Sequence, residues 1–321
     1  MKSTTGRTTK SNTATTLEFQ VTILGSNSAA PAHGRNQTSQ IVTYGRHQFM
    51  VDCGEGTQHQ LRRFHVKSSK IDHVFISHLH GDHYLGLMGM ISTFHLNNRK
   101  SPLHIFGPPG LDEIITQHLK YSHTQLKFPL FFTRTTTEGK NLLLELENLR
   151  IYSFPLKHRI PCTAFTFEEK YRQQKLIKEK IVGGGMAVEE IQSLLQGRDV
   201  INTDGSIKYR ASEYIKEPVL PRKYAFCSDT VFDPSLVSLV NGVDLLYHES
   251  TFMEADKDRA KLTLHSTAEE AATIAKNAQV KELLLGHFSV RYIDLYPLLW
   301  EAKAVFEATH LSEEGKTYAI K

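Results

Sequence analysis

The segment Ser77–His83, which reads Ser-His-Leu-His-Gly-Asp-His, carries the residue types that bind a transition metal. Imidazole nitrogen suits zinc, and a carboxylate can add an oxygen ligand. His78 and His80 are two positions apart, so extended backbone directs both side chains towards one ion. Asp82 and His83 follow a glycine bend and can serve a second ion. A polar loop with chance histidines is the alternative, but so dense a cluster is improbable with 17 histidines in 321 residues.

Three further candidate ligands come later in the chain, each after a strand-like apolar run. His158 follows Leu149–Phe154, Asp229 follows Tyr224–Cys227, and His287 follows Lys281–Leu285. A single histidine after a strand is usually an ordinary polar residue, but the shared placement of all three at strand ends favours ligands. Because a carboxylate has two oxygens, Asp229 can bridge two ions. The sequence therefore predicts a centre for two metal ions.

The elements that must position these side chains alternate between strand-like and helix-like stretches. Strand candidates are Phe19–Leu24, Gln40–Tyr44, Phe49–Asp52, Val74–Ile76, Leu103–Phe106, Leu149–Phe154, Thr163–Phe167, Tyr224–Cys227, Asp244–Tyr247 and Lys281–Leu285. Helix candidates are Tyr84–His95, Leu111–Tyr121, Thr267–Asn277 and Leu295–Glu307. Early strands are paired and later strands are separated by helices. This order favours an α/β fold with two packed mixed sheets flanked by helices over a doubly wound sheet.

Composition indicates a globular enzyme that does not enter a membrane. The chain is 40% hydrophobic and 22% charged, and no apolar run approaches the roughly 20 residues that span a bilayer. Its net charge of +4 is compatible with a polyanionic substrate but does not require one. Three cysteines form too sparse a set for a disulfide framework, which favours a reducing, cytoplasmic location. The Ser/Thr-rich residues 1–16 predict a disordered tail.

One segment, from about Glu168 to Arg222, interrupts the alternation of strands and helices. It begins with Lys/Glu-rich polar sequence, and Thr203-Asp204-Gly205 is a turn signal. We expect a small protruding arm, at about 168–222, inserted into one main domain that spans residues 17–321. A long surface loop with a helix is the alternative.

These segments together resemble the metallo-β-lactamase superfamily and, more narrowly, the ribonuclease Z (tRNase Z) family, from about Phe19 to the C-terminus. The metal-ligand heptad indicates the superfamily alone. The narrower signals are Pro31–Asn36, Asp52–Thr57, His248–Phe252, His265–Thr267 and His287–Tyr292. The resemblance implies a metallo-β-lactamase αββα sandwich and a dizinc endoribonuclease that removes the 3′ trailer from precursor tRNA. It further implies a 3′-hydroxyl on the tRNA, a 5′-phosphate on the trailer and a homodimer whose arm clamps the tRNA.

The resemblance also implies a role for each site residue. One zinc would be held by His78, His80 and His158, the other by Asp82, His83 and His287, with Asp229 bridging them. Asp82 would act as general base, and His265 as the acid that Glu249 orients. Alternatively, His265 simply precedes a helix cap. Asp52 would orient ligands through hydrogen bonds, or be an ordinary turn residue after a strand.

Four residues are candidates for contact with RNA. Arg35 can grip a phosphate, Asn36 can read a base or ribose, and Arg291 and Tyr292 suit a nucleotide end. The alternatives are a surface loop with an incidental arginine and a tyrosine that belongs to the core. Two other functions stay open: a different dizinc hydrolase of this fold (a phosphodiesterase of small substrates, a thioesterase or a lactonase), and a non-catalytic RNA-binding protein.

Overall fold

A computed structural model describes residues 17–172, 174–182, 185–217 and 219–321, so the predicted tail over residues 1–16 lies outside the described chain. The strands are β1 (Phe19–Gly25), β2 (Ser39–Tyr44), β3 (His47–Cys53), β4 (Ile71–Phe75), β5 (Leu103–Gly107), β6 (Leu130–Arg134), β7 (Asn141–Glu145), β8 (Leu149–Leu156), β9 (Cys162–Glu169), β10 (Lys175–Leu176), β11 (Val200–Ile201), β12 (Ile207–Tyr209), β13 (Ile215–Glu217), β14 (Lys223–Cys227), β15 (Leu245–Glu249), β16 (Glu282–Gly286), β17 (Thr309–Leu311) and β18 (Thr317–Ala319).

Where the sequence pattern predicted a helix, the observed ends lie within three residues of the predicted ends. The helices are α1 (Thr57–Arg63), α2 (Gly81–Leu96), α3 (Leu111–Tyr121), α4 (Lys178–Ile181), α5 (Val188–Leu195), α6 (Ala211–Tyr214), α7 (Leu236–Leu239), α8 (Lys257–Thr263), α9 (Ala268–Asn277) and α10 (Tyr296–Val305). The start of α9 is set by a capping box, in which the Thr267 hydroxyl accepts from the Glu270 amide and the Glu270 carboxylate accepts from the Thr267 amide. Among the described residues, no helix is both long and apolar enough to cross a membrane.

Two seven-stranded mixed sheets form the body of the described chain. The strand orders are β18-β1-β2-β3-β4-β5-β6 and β17-β16-β15-β14-β9-β8-β7. In the first sheet β3 to β6 run parallel, and in the second β14 to β17 run parallel. The remaining neighbours in both sheets are antiparallel. This arrangement confirms the predicted pair of mixed sheets.

Aromatic side chains fill the space between the sheets. Phe49 and Phe75 of the first sheet contact Phe167 of the second at ring-centroid distances of 5.6 and 5.7 Å. All three are fully buried, and burying such a side chain stabilises the fold by roughly 1.5–3 kcal/mol. Helices α2 and α3 cover the outer face of the first sheet, and α9 and α10 cover that of the second. The layers are therefore helix, sheet, sheet, helix, which confirms the predicted αββα sandwich.

The segment between β9 and β14 has its own small structure. Two two-stranded sheets, β10–β13 and β11–β12, pack with α5 and α6 around Leu194, Val200 and Ala211. Where the segment leaves the body, the buried Arg222 guanidinium lies 2.7 Å from a Glu169 carboxylate oxygen and donates to the carbonyls of Leu17 and Ile320. These contacts tie the base of the segment to both ends of the described chain. That the segment acts as a separate arm, bounded at about 168–222, stays a prediction.

Candidate dinuclear metal centre

The seven predicted metal ligands lie on five segments that meet at one edge of the sandwich. His78 and His80 follow β4, and Asp82 and His83 occupy the first turn of α2. His158, Asp229 and His287 follow β8, β14 and β16. Three of these strands (β4, β14 and β16) are members of parallel runs, so their carboxyl ends open towards a common edge. This is why residues as far apart in sequence as His78 and His287 converge.

The first group of ligand atoms gathers around one point. His78 Nε2 lies 3.0 Å from His80 Nδ1, and His158 Nε2 lies 3.2 Å from the same His80 atom. Asp229 Oδ2 completes the group at 3.4 Å from His78 Nε2 and 3.8 Å from His158 Nε2. Three imidazole nitrogens and one carboxylate oxygen therefore face one another.

The second group uses the other oxygen of the same aspartate. Asp229 Oδ1 lies 3.4 Å from His83 Nε2 and 3.2 Å from His287 Nε2. Asp82 Oδ2 lies 3.4 Å from each of these two nitrogens. Since one carboxylate presents an oxygen to each group, Asp229 stands where a bridging ligand is needed.

Both groups have the dimensions of a tetrahedral zinc site. An ion with ligands about 2.0–2.1 Å away separates neighbouring tetrahedral ligand atoms by about 3.3–3.4 Å. The separations of 3.0–3.8 Å within the two groups match that geometry. His83 Nε2 is buried without a hydrogen-bond partner, which is costly unless another partner such as a metal ion binds it. The residues present thus fit two metal ions.

Burial keeps most of the ligand imidazoles neutral, as metal binding requires. It lowers the pKa of His78 and His80, and that of His158 to about 4. His83 differs: burial opposes its charge, but Asp229, Asp82 and Asp52 raise its pKa well above the ordinary value. The three carboxylates therefore favour the charged form of His83, and a metal ion bound at Nε2 would replace the proton there.

Four ligand histidines use their second ring nitrogen for a hydrogen bond that sets the ring orientation. His83 Nδ1 donates to Asp52 Oδ2 at 2.7 Å, and His158 Nδ1 donates to the Leu264 carbonyl at 2.9 Å. The remaining acceptors are the Ser77 hydroxyl, 3.0 Å from His78 Nδ1, and the Thr251 hydroxyl, 2.9 Å from His287 Nδ1. Of these four acceptors, sequence reasoning named Asp52 and missed the other three.

Left-handed backbone occurs at four non-glycine positions around the same site. Asp52, Leu264 and His287 have φ values of 54°, 58° and 59°, in a region that L side chains seldom adopt. Ala29, at φ 56°, donates its amide to Asp82 Oδ2 at 2.7 Å. Such strain costs about 1–3 kcal/mol per residue and clusters at functional sites.

A histidine–glutamate pair lies beside the metal centre. His265 Nδ1 is 2.8 Å from Glu249 Oε1, and one His265 nitrogen lies within 4.8 Å of ligand atoms of Asp229 and His287. Burial disfavours the charged imidazole, but the Glu249 carboxylate outweighs it and raises the pKa of His265 to about 9. His265 is therefore protonated at neutral pH and able to donate a proton towards the centre.

Comparison with known proteins identifies the family. The chain is 46% identical over 304 residues to the "Ribonuclease Z" of Cytophaga hutchinsonii, covering 95% of this chain and 97% of that protein. It is 42% identical to that of Bacteroides thetaiotaomicron, covering 94% and 96%. The chain belongs to the ribonuclease Z family. Membership confirms the resemblance found in the sequence and the enzyme class predicted from it, a metal-dependent endoribonuclease.

Solved structures agree with membership of the ribonuclease Z family. The short form of human tRNase Z superposes with a TM-score of 0.69 at 29% identity, covering 94% of this chain and 99% of that one. The metallo-beta-lactamase fold protein YhfI of Bacillus subtilis, at 20% identity and a TM-score of 0.66 over 94% and 99% of the two chains, shares the fold. A family profile described as "Anti-Pycsar protein Apyc1" matches residues 19–175.

For this member of the ribonuclease Z family, three of the four predicted RNA contacts have side chains that are hydrogen-bonded within the chain. The Arg35 guanidinium donates to the carbonyls of Tyr292 and Ile293, and Asn36 donates to the Glu314 carboxylate. The Tyr292 hydroxyl contacts Asp256 and accepts from the Met253 amide. Arg291 is exposed. Sequence reasoning missed Glu314 because nothing near it in sequence indicates that it reaches the loop of Asn36.

Proposed function

We propose that this protein removes the 3′ trailer from precursor tRNA with two zinc ions per chain, leaving a 3′-hydroxyl on the tRNA and a 5′-phosphate on the trailer. The observation that carries the proposal is the pair of ligand groups that share Asp229 in a chain of the ribonuclease Z family. Zinc is favoured because five of the seven ligands are imidazoles and the ligand spacing is tetrahedral.

The chain's own residues divide the chemistry between them. Bound in these groups, two zinc ions would lower the pKa of a shared water and neutralise charge on the phosphoryl oxygens. Asp82 turns Oδ2 towards both His83 and His287, and its other oxygen, Oδ1, would take the proton of the attacking water. The Ala29 amide, which donates to Oδ2, fixes the direction of the carboxylate.

The leaving oxygen needs a proton, and His265 supplies it. Its Nδ1 is held by Glu249, so its other nitrogen is the one free to donate. Glu249 is fully buried, and its two oxygens accept from His265, from Thr251 and from the Thr230 amide. A carboxylate held in this way keeps the imidazole in one orientation, which is the role assigned to Glu249.

Substrate recognition extends beyond the metal centre. The arm between β9 and β14 presents exposed lysines at 175, 178 and 180, whose charge suits the phosphates of a tRNA body. Arg291 is the exposed cation of the loop that follows His287, where it suits a phosphate beside the cleaved bond. Arg35 and Asn36 would reach RNA after exchanging their internal contacts. A homodimer in which one arm serves the other subunit, and a cytoplasmic location, complete the proposal.

Other hydrolases of this fold form the main alternative. A phosphodiesterase of small substrates, a thioesterase or a lactonase needs the metal ligands but has less need of the His265–Glu249 pair and the arm. The test offers a trailer-bearing tRNA transcript and bis(p-nitrophenyl) phosphate to the zinc-loaded enzyme and maps the RNA ends. We expect one cut at the tRNA 3′ side, with a 3′-hydroxyl and a 5′-phosphate. Hydrolysis of the small ester without a cut in the RNA contradicts the proposal.

A further inference from the structure

The Thr251 hydroxyl lies between the metal centre and the His265–Glu249 pair. Its Oγ1 is 2.9 Å from His287 Nδ1 and 2.6 Å from Glu249 Oε2. The side chain is buried, with 3% of its surface exposed, so water does not compete for these contacts. Thr251 therefore contacts both a proposed metal ligand and the carboxylate behind the proposed acid.

The direction of the hydrogen bonds follows from the donors available. His287 Nε2 faces Asp82 and Asp229 oxygens as a ligand atom, so Nδ1 carries the ring hydrogen and donates to Thr251. The hydroxyl has one hydrogen, and the 2.6 Å contact with Glu249 is shorter than the 3.0 Å contact with the His287 carbonyl. The chain of donors thus runs from His287 through Thr251 to Glu249.

Glu249 supports two imidazoles at once in this arrangement. Oε1 accepts directly from His265 Nδ1, while Oε2 accepts from Thr251, whose hydroxyl in turn accepts from His287. The carboxylate is fully buried, and among the described residues its one ion-pair partner is His265. A buried carboxylate polarises the groups that donate to it and makes a ligand imidazole more basic.

The loop that carries His287 needs such an anchor. His287 has a left-handed backbone with φ 59° between β16 and Phe288, whose peptide pairs with Ser26 and Ser28, so backbone pairing on either side leaves the ring itself to be held by side chains. Thr251 contacts both the ring and, at 3.0 Å, the carbonyl of His287. The hydroxyl therefore holds the ring of this ligand, while its single hydrogen goes to Glu249 and not to the carbonyl.

We propose that Thr251 is a positioning residue that couples the second metal group to the His265–Glu249 pair. Loss of the Thr251 hydroxyl, or of the Glu249 charge behind it, should lower the affinity for the metal ion of the second group and leave the affinity for the other ion unchanged. The inference rests on the proposed function because it takes the second group as a metal site and His265 as the acid. It goes beyond that function because it makes metal affinity depend on two residues that do not ligate metal.

The test compares Thr251→Val, which keeps the shape of the side chain without its hydroxyl, with Thr251→Ser, which keeps the hydroxyl. Zinc affinity is measured by competition with a chelator, and the visible absorption of the cobalt(II)-loaded protein reports the ligand geometry. We expect Thr251→Val to lower the affinity for the zinc ion of the second group about 10–100-fold, which is the usual cost of losing a hydrogen bond to the outer nitrogen of a ligand. The other ion should keep its affinity, and Thr251→Ser should restore both affinity and the cobalt spectrum.

Two further variants separate coupling from simple loss of stability. Glu249→Gln should lower the affinity for the same ion. The double variant Thr251→Val/Glu249→Gln should bind that ion no more weakly than Thr251→Val alone, because both changes interrupt the same series of hydrogen bonds. Thr166→Val is the matched control, since Thr166 is fully buried and its hydroxyl also donates to a carboxylate, Glu168, at 3.1 Å, outside the site. Its zinc affinities should equal those of the unmodified protein.

The inference is overturned if Thr251→Val binds both ions normally, or if it loses both equally with a matching fall in the free energy of unfolding. Additive losses in the double variant also overturn it. Failure of the proposed function is distinguishable: an unmodified protein that binds two zinc ions but does not cut trailer-bearing tRNA contradicts the nuclease assignment and leaves the measured coupling in place.

Discussion

His83 Nδ1 donates to Asp52 Oδ2 across 2.7 Å, and both side chains are fully buried. Asp52 also accepts from the amide and hydroxyl of Ser77, the residue that precedes the ligand His78. One carboxylate at the end of β3 thus orients ligands of both metal groups, through His83 directly and through Ser77 to His78. Its left-handed backbone directs it there.

Removing the charge of Asp52 should therefore weaken metal binding without removing a ligand. We expect Asp52→Asn to lower zinc affinity about 10–100-fold, because His83 loses its carboxylate acceptor. Chelator competition measures the change. Asp112→Asn, at a surface carboxylate paired with Arg134, is the control and should bind zinc as the unmodified protein does. Equal affinity for Asp52→Asn would contradict the orienting role.

The His265–Glu249 pair predicts a pH dependence of cleavage. Glu249 raises the pKa of His265 to about 9, and the acid must be protonated, so kcat should fall as pH rises through that value. Glu249→Gln removes the raising charge, and the fall should then begin at lower pH. The pH profile of kcat under single-turnover conditions measures this shift. An alkaline limb that stays in place would show that His265 is not the group being titrated.

The ion pair at the base of the arm predicts a large effect on stability. Arg222→Met leaves the buried Glu169 carboxylate without its partner, and breaking such a pair costs about 3–5 kcal/mol of unfolding free energy. Urea unfolding of the metal-loaded protein measures the loss. Arg150→Met is the matched control, because its partner Glu145 and Arg150 itself are both more than 40% exposed, and such pairs contribute about 0–1 kcal/mol. A loss no larger than the control's would show that Arg222 is not the anchor.

Deletion of the arm should separate tRNA binding from chemistry. β9 and β14 are antiparallel neighbours with Glu168 opposite Lys223, so an Asn-Gly turn can join Glu169 to Arg222 as a hairpin. We expect weaker binding of full-length precursor tRNA, seen as a raised KM, with unchanged hydrolysis of bis(p-nitrophenyl) phosphate. Unchanged tRNA affinity would show that the segment is not a clamp. Loss of both activities together with a lowered Tm would show that the segment serves stability.

Local sequence determined much of the secondary structure and the choice of candidate metal ligands. The alternation of apolar runs and helical periods placed ten of the eighteen described strands and four of the ten described helices, because side-chain periodicity of two or 3.6 is a property of neighbouring residues. The heptad Ser77–His83 and the strand-end residues His158, Asp229 and His287 gave seven ligand candidates, because metal chemistry restricts the residue types that serve. The family resemblance added the αββα layers.

The tertiary structure alone decided which atoms meet. That Asp229 gives one oxygen to each group, and that Thr251, Ser77 and the Leu264 carbonyl hold ligand rings, depends on loops from different strands arriving at one edge. Hydroxyls and carbonyls are too common in any sequence to mark such contacts. The internal partners of Arg35 and Tyr292 could not be predicted from sequence either, because they lie up to 258 residues away in the chain. Hydrogen bonds of this kind are set by distance in space, which sequence spacing does not encode.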